Sequence, residues 1–546
     1  MISSSSRHYI QHHIMAPSVG ESIPPGDIHA VSVSFPEWQH MVRWGQRDEE
    51  LISKMKAGYP RFFIPLIVRK LAARIVERTK HCKDGSQALL FPCAIMAKAC
   101  QRFFASKGQH DEFIVLAVAL DGEVQHLDTG VAQPYSVHDA IYAVTYPDHH
   151  AATAKAFWQH TGLGISTRCA HFWMDTLSGV GLKSGSEHST AQVLPHAEAD
   201  DAKQEIRARL AEHNSCTELN IGPQDVVLYH TGMAAIYHSG RLVQSRAKQS
   251  GHPKVVVFGF LYVDMTKVLQ IILGLSVKLY GHASDSDLDE LEESLRSGTP
   301  IDALYLEFPG NPLLQSPDLR RIWALSREFD FLVILDDTVA TSINLNLISC
   351  CDMACTSLTK MFSGACNVMG GSITLNPQSR NYPMVREALK ASYIDTIFPT
   401  DALVMLNNSS DFRYRVLTAN RNAEHIHSIL RRHPQVAEVF YPKQSTSQRY
   451  YDEFKREEGG YGYLLSVRFK APHVAEVFYN ALDVAKGPSL GTNFTLCCAY
   501  TWLAHPTELD YVRQYGIVED LFRVSIGIEG IEWLERIFCY ALAACS

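Results

Sequence analysis

From Val226 onward the chain alternates short, nearly continuous apolar runs with stretches of helical periodicity, and this restricts the fold more than any other feature. The runs are Val226–Tyr229, Val255–Phe260, Val277–Tyr280, Ala303–Phe308, Leu332–Leu335, Met353–Ser357 and Ser372–Leu375. Strands apolar on both sides belong to a mostly parallel sheet covered on both faces, because a half-exposed strand alternates polar and apolar residues. Between them, Asp285–Arg296 carries Leu288, Leu291 and Leu295 at helical spacing. Further on, runs at Tyr463–Phe469 and Phe522–Ile528 alternate with helical patterns at Val474–Leu482 and from Ile531, which predicts a smaller α+β domain.

The 546 residues therefore divide into a leader (1–30), an N-terminal region (31–215), a large domain (216–400) and a small C-terminal domain (401–546). The leader is rich in Ser, His, Pro and Gly and is expected to be poorly ordered. The N-terminal region mixes strand and helix signals, such as the apolar run Phe113–Leu120 closed by Asp121-Gly122. It closes with a flexible link over 184–202 and a helix ending near Asn214. This region names no chemistry by itself.

Several classes of function are disfavoured. Fifty Lys and Arg against 58 Asp and Glu leave a net charge of −8, the wrong sign for a nucleic-acid footprint. The longest apolar run, Val255–Val263, falls far short of the ~20 residues a membrane helix needs. Met1–His13 lacks the apolar core of a secretory signal, so the expected location is cytoplasmic. Thirteen cysteines contain no pair of Cys-x2-Cys motifs, and His149, His150, His160 and His171 lack metal-ligand spacing; reduced thiols and no metal are expected.

The informative segment is Ile334-Leu335-Asp336-Asp337-Thr338, followed 24 residues after Asp336 by Lys360 in Ser357-Leu358-Thr359-Lys360. A strand that ends in a carboxylate delivers it to the crevice where open parallel sheets bind ligands. A second strand ending in Ser-x-Thr-Lys brings two hydroxyls and an amine to the same edge. Upstream, Thr231-Gly232-Met233 opens a helix after a strand, a start that favours phosphate. Glu307-Phe308-Pro309-Gly310-Asn311 ends another strand with an amide. Singly, each has an ordinary reading as a cap, a turn or a solvated lysine. Together they supply what an aldehyde cofactor with a phosphate and a pyridine nitrogen requires.

These segments resemble the pyridoxal-phosphate enzymes of cysteine and methionine metabolism, of the cystathionine γ-synthase type. The matching motifs run from Gly232-Met233-Ala234-Ala235-Ile236 through Glu307…Asn311-Pro312, Asp336-Asp337-Thr338, Ser357-Leu358-Thr359-Lys360, Val368-Met369-Gly370-Gly371 and Ser489-Leu490-Gly491 to Arg523-Val524-Ser525-Ile526-Gly527. Gly58-Tyr59-Pro60-Arg61-Phe62-Phe63, Phe157-Trp158-Gln159-His160 and Lys486-Gly487-Pro488-Ser489-Leu490-Gly491-Thr492-Asn493-Phe494 are similar to the fungal branch.

The resemblance implies a fold-type I enzyme with an N-terminal extension and pyridoxal 5′-phosphate as cofactor. Lys360 would bind the cofactor aldehyde and Asp336 the pyridine nitrogen. Gly232, Met233, Ser357 and Thr359 would hold the phosphate, with Thr338 also at the cofactor and Asn311 at the ring hydroxyl. Arg523, helped by Ser489, would take the amino-acid carboxylate, and Tyr262 would also meet substrate. Tyr59 and Arg61 would reach a neighbouring subunit's phosphate, implying a homodimer or homotetramer. Three departures stand out: Phe258 where the family has a tyrosine stacked on the ring, Ser410 where the fungal branch has an arginine, and the thiols Cys497-Cys498 after the Ser489 loop.

The expected reaction is γ-replacement on an O-acylated homoserine, O-acetyl-L-homoserine above all, with a nucleophilic co-substrate. Loss of the arginine at Ser410 points to a secondary-metabolite enzyme using a carbon nucleophile such as a 3-oxo acid. The alternatives are cysteine as acceptor in methionine biosynthesis, a γ- or β-lyase, or a cofactor-binding protein without catalysis; Lys360 and Arg523 speak against the last.

Overall fold

The computed structural model describes residues 17–545 apart from 60–61, 80–81, 83–84, 109–112, 128–134, 181–192 and 251–253. In the leader, β1 (Ser22–Ile23) and β2 (Ser32–Val33) form an antiparallel ribbon. Residues 17–30 are thus placed where poor order was expected. Ile23 and Val31 are buried against Phe494 and Leu496, and the Val31 N–H donates to the Cys366 carbonyl. A handful of apolar residues outweighs the Pro and Gly content; residues 1–16 lie outside the described residues.

The N-terminal region builds its own four-stranded antiparallel sheet, β3 (Ser86–Phe91), β4 (Val115–Ala119), β5 (Val124–His126) and β6 (Ala140–Pro147), in the order β3-β6-β4-β5. Side chains alternate across it. Leu90, Leu116, Val118, Ile141 and Ala143 pack with the helices Leu66–Arg78 and Thr167–Val180. Phe91, Val115, Ala117, Tyr142 and Val144 share a core with the helices Ala94–Ser106 and Ala151–Thr161 and with one face of the large sheet. Of the expected flexible link, 184–192 lie outside the described residues and 196–202 are helical. The helix spans His196–Asn214 and buries Ala199, Ala202, Ile206 and Leu210.

The large sheet comprises β7 (Val226–Tyr229), β8 (Lys254–Phe258), β9 (Ser276–Tyr280), β10 (Ala303–Glu307), β11 (Leu332–Asp336), β12 (Met353–Ser357) and β13 (Gly371–Leu375). Its order is β7-β13-β12-β11-β10-β8-β9, with β13 antiparallel to both neighbours and the other pairs parallel. Residues 358–370 contain no crossover helix, so the chain turns back beside β12 rather than returning to start a parallel strand. Leu304, Leu306, Val333 and Leu335 face one core and Ala303, Tyr305, Leu332 and Ile334 the other, which is why these strands read as unbroken apolar runs. β8 ends two residues earlier than expected, because Gly259 turns the chain at φ +100°.

The C-terminal sheet, β14 (Val436–Phe440), β15 (Leu464–Phe469), β16 (Ala485–Lys486), β17 (Leu496–Ala499) and β18 (Phe522–Ser525), has the order β14-β15-β18-β17-β16. It packs with the helices Phe412–Arg432, Pro472–Ala481 and Ile531–Ala543. Cys497 and Cys498 are buried in β17, inside this core. No helix among the described residues is long and apolar enough to cross a membrane.

Candidate active site

Parallel strands of one sheet end on the same edge, and here three consecutive strands end in functional side chains: Glu307 on β10, Asp336 on β11 and Ser357 on β12. Above that edge lies an open cavity of about 1250 Å³, the adjoining solvent space included. Its walls combine the sheet edge with the Ser489 loop and β18 from the C-terminal part, and with Tyr59, Phe62, Gln159 and Gly162 from the N-terminal region.

The floor is acidic. Glu307 and Asp336 are register partners on adjacent parallel strands, and both are buried. Burial first, and then the neighbouring Asp336 carboxylate, push Glu307 up to about 8, although it accepts the backbone N–H groups of Tyr262 (2.6 Å) and Asn311 (2.9 Å). Asp336 is likewise raised by burial, against the pull of Thr338 and Lys360. Thr338 fixes its orientation, donating its N–H to Asp336 Oδ1 (2.9 Å) while its hydroxyl accepts the Ser357 N–H (2.8 Å). A buried carboxylate held above its ordinary pKa gains from a cationic N–H placed over it.

One end is shaped for an anion. Thr231 caps the helix Gly232–Ser250: its hydroxyl accepts the Ala234 N–H (2.9 Å) and donates to the Gly162 carbonyl (2.9 Å). The preceding helical residues, Gly232 and Met233, line the cavity beside Ser357 and Thr359. A β-carbon on Gly232 would sit 2.8 Å from Ser357 Cβ, so only glycine allows the helix start and the end of β12 to approach this closely. The Thr359 hydroxyl also pairs with the Gly370 backbone, accepting its N–H at 3.1 Å.

The amine follows directly after Thr359 in the chain. Lys360 Nζ donates to Tyr59 Oη (2.7 Å) and Ser489 Oγ (2.8 Å). Ser489 has φ +105°, a conformation that side-chain-bearing residues seldom adopt, and its carbonyl accepts from Arg523 Nη2 (2.9 Å). Arg523 Nη1 donates to Asn311 Oδ1 (3.0 Å), and the guanidinium lies 4.9 Å from the centre of the Tyr500 ring. One strained serine therefore ties the free amine to the guanidinium.

The sequence-predicted residues Lys360, Asp336, Thr338, Gly232, Met233, Asn311, Ser357, Thr359, Tyr59, Tyr262, Ser489 and Arg523 all line this cavity. Two expectations change. Phe258 does not line it: the side chain precedes the Gly259 turn and is buried in the sheet core with Tyr280 and Leu306. The aromatic residue that does reach the cavity from this segment is Tyr262, after the turn. Ser410 is exposed on the turn between two helices and lines no part of the cavity. Within the single chain Tyr59 touches Lys360, and the reach to a neighbouring subunit's phosphate that the resemblance implied is a separate contact. Arg61 lies outside the described residues. Sequence reasoning gave no site role to Gln159, Gly162 and Tyr500: Gln159 stood in the Phe157-Trp158-Gln159-His160 segment without an assigned function, and all three reach the cavity through tertiary packing.

A pyridine cofactor with an aldehyde and a phosphate fits these residues: a raised carboxylate for the ring nitrogen, a helix start with no room for a β-carbon for the phosphate, and an amine for the aldehyde. Comparison with known proteins agrees. The family model "Cys/Met metabolism PLP-dependent enzyme" matches residues 209–543, and "Fungal trans-sulfuration enzyme, N-terminal domain" matches 67–166. The chain is 35% identical to the cystathionine gamma-synthase of Neurospora crassa, with 96% of this chain and 98% of that protein covered. It is 36% identical to the cystathionine gamma-synthase-like enzyme iboG1 of Amanita muscaria, with the same coverage. Among solved structures, cystathionine gamma synthase from Xanthomonas oryzae pv. oryzae matches with a TM-score of 0.55 over 64% of this chain and 87% of that one; at 21% identity this speaks for the fold alone.

Proposed function

The chain belongs to the Cys/Met-metabolism family of pyridoxal-phosphate-dependent enzymes, with the fungal trans-sulfuration N-terminal domain, and on that premise we propose that it catalyses γ-replacement on an O-acylated homoserine with a carbon nucleophile. The observation that carries the amino-acid half is the Lys360–Ser489–Arg523 arrangement, an amine and a guanidinium joined through one residue. The relatives include a cystathionine gamma-synthase and cystathionine gamma-synthase-like enzymes, which supports replacement at Cγ.

When bound, pyridoxal phosphate supplies an aldehyde for the substrate amine and a ring that withdraws electrons from Cα and Cβ. The protein's part is positioning and proton transfer. Arg523 receives the α-carboxylate through two parallel N–H bonds, with Asn311 fixing the plane of the guanidinium. Lys360 would hold the cofactor aldehyde and, with its amine available, would take the Cα proton and serve Cβ as acid and base. Tyr59 and Ser489 hold its Nζ in place through two hydrogen bonds. Asp336, oriented by Thr338, would hold the pyridine nitrogen in its protonated form. Departure of the acyl carboxylate from Cγ then opens that carbon to the nucleophile.

The acceptor is read from the charge of the walls. Among the described lining residues the cationic side chains are Lys360 and Arg523, both already engaged by the amino-acid substrate. Away from the acidic floor of Glu307 and Asp336, the wall is neutral or apolar, with Gln159, Ile236, Val263, Leu503 and Ala504. Cysteine would bring a second carboxylate and a second ammonium into this space. An enolisable carbonyl compound of the 3-oxo acid class carries fewer charges. The exposed position of Ser410 removes the argument from its side chain, and the wall composition takes its place.

The test is product analysis by mass after incubation with O-acetyl-L-homoserine and equal concentrations of acetoacetate and cysteine. Acetate release with a carbon–carbon adduct as the main product is expected. Cystathionine as the main product would return the protein to the cysteine-using reaction, and ammonia with 2-oxobutanoate regardless of acceptor would make it a lyase.

A further inference from the structure

Behind Arg523 a chain of three side chains leads from the cavity wall toward solvent. Tyr500 lines the cavity and is 4% exposed. Its Oη lies 3.5 Å from His505 Nε2, and His505 Nδ1 lies 2.8 Å from Glu508 Oε1. The His505 side chain is fully buried, whereas that of Glu508 is 28% exposed. With Nδ1 facing a carboxylate, the imidazole carries its proton there and offers Nε2 as an acceptor to the phenol. The bond from His505 is also the main reason that the Glu508 carboxyl lies below its ordinary range. Other charged groups surround the chain: Lys267 at 3.8 Å from Glu508, Asp264 near Glu508 and itself paired with His160 (2.9 Å), and Arg523 over the Tyr500 ring. The Phe260 ring packs against His505 at 5.3 Å.

We propose that Tyr500, backed by His505 and Glu508, is the base that takes the proton from the incoming nucleophile. Lys360 is occupied with Cα and Cβ, and a second group lets the acceptor be deprotonated without competing for that amine. In the step, the acceptor C–H bond breaks and its electron pair forms the bond to Cγ. The proton passes to Tyr500 Oη as the phenol's own proton passes to His505 Nε2, leaving an imidazolium against the Glu508 carboxylate. The Cβ–Cγ electron pair moves onto Cβ, which Lys360 protonates. The imidazolium loses its extra proton to solvent as product leaves. A carbon acid requires such a base at the moment of attack. A thiol with a pKa of about 8.5 is already a few per cent thiolate near neutral pH and needs it far less. The inference rests on the γ-replacement reading and accounts for how a carbon acceptor is used.

The experiment compares wild type, Tyr500→Phe and His505→Gln as holoenzymes with O-acetyl-L-homoserine, using acetoacetate or cysteine as the acceptor. The readout is the ratio of adduct to 2-oxobutanoate. Tyr500→Phe keeps the ring under Arg523 and removes only the hydroxyl, so it separates proton transfer from packing. The expected result is a ratio lowered about 100-fold with acetoacetate and no more than severalfold with cysteine, in both variants. An unchanged acetoacetate ratio in Tyr500→Phe overturns the relay. So does an equal fall with both acceptors accompanied by a raised KM for O-acetyl-L-homoserine, which would make Tyr500 a support for Arg523. Wild-type enzyme that releases no acetate overturns the γ-replacement reading instead, and the two failures are thereby distinct.

Discussion

The large sheet and the N-terminal layer share one hydrophobic core yet contribute to the cavity in different ways. The sheet edge and the segment after it supply ionisable groups, Glu307, Asp336 and Lys360, each at or just beyond a strand end. The N-terminal layer supplies shape: Phe62, Gln159 and Gly162 are walls, and Tyr59 is its one ionisable lining group among the described residues. Chemistry located on strand ends is fixed by register, since moving Asp336 out of line with Glu307 would move the whole strand. Walls contributed from another layer are fixed by packing and by single hydrogen bonds, such as that from the Thr231 hydroxyl to the Gly162 carbonyl. Damage to the first should therefore abolish reaction steps, and damage to the second should change rates and preferences.

The largest effect is expected for Lys360→Ala. Turnover should fall by on the order of 10⁴-fold, with loss of the visible absorbance of lysine-bound cofactor. Retention of both would remove the amine from the account. Asp336→Asn comes next, with activity lowered on the order of 10²–10³-fold while cofactor is still retained after gel filtration. Near-wild-type activity there would mean that another carboxylate serves the ring.

In the N-terminal layer, Tyr59→Phe removes the 2.7 Å bond to Lys360 and keeps the ring. A fall of about tenfold in kcat with little change in KM is the expected outcome. Gln159→Ala should move kcat by less than about threefold and shift the acceptor ratio instead. A loss on the scale of Lys360→Ala at either position would erase the contrast between the two regions.

The smallest effect concerns stability against pH in the cofactor-free protein. Glu307 is raised to about 8 and Asp337 to about 7, chiefly by burial, from ordinary carboxyl values. In this window the folded state holds protons that the unfolded state has released, so stability falls as pH rises from about 4.5 toward 8 and levels off beyond it. Tm recorded across this range should decline, and Glu307→Gln should flatten the slope. A slope unchanged by the substitution would show that Glu307 ionises normally in the fold.

The same contrast explains what could be read from the sequence. The strands of the large sheet were visible because both faces are buried, and Asp336, Ser357 and Lys360 because strand ends converge on one edge. Phe258 was misplaced because a motif counts residues and not the turn at Gly259, which separates a core side chain from the cavity. Apart from the resemblance at Tyr59, the N-terminal layer named no chemistry, for a related reason. Its sheet is covered on both faces like an ordinary core, and Gln159 and Gly162 gain their place only when the helix Ala151–Thr161 docks against the Thr231 cap. Ser410 looked informative because a charge had been replaced, but a charge matters to a site only when it lies near it.

The central claim is that one chain completes its own cavity, with Tyr59 from the N-terminal layer meeting Lys360 of the sheet domain. It is tested most directly by co-expressing Tyr59→Ala and Lys360→Ala chains under different tags and assaying material purified through both. If both groups come from the same chain, every site in a mixed assembly lacks one of them and activity stays at the level of the single variants. Activity recovered to about half of wild type per mixed dimer would mean that one site holds both intact residues, so that Tyr59 crosses to a neighbour, and the account would be contradicted.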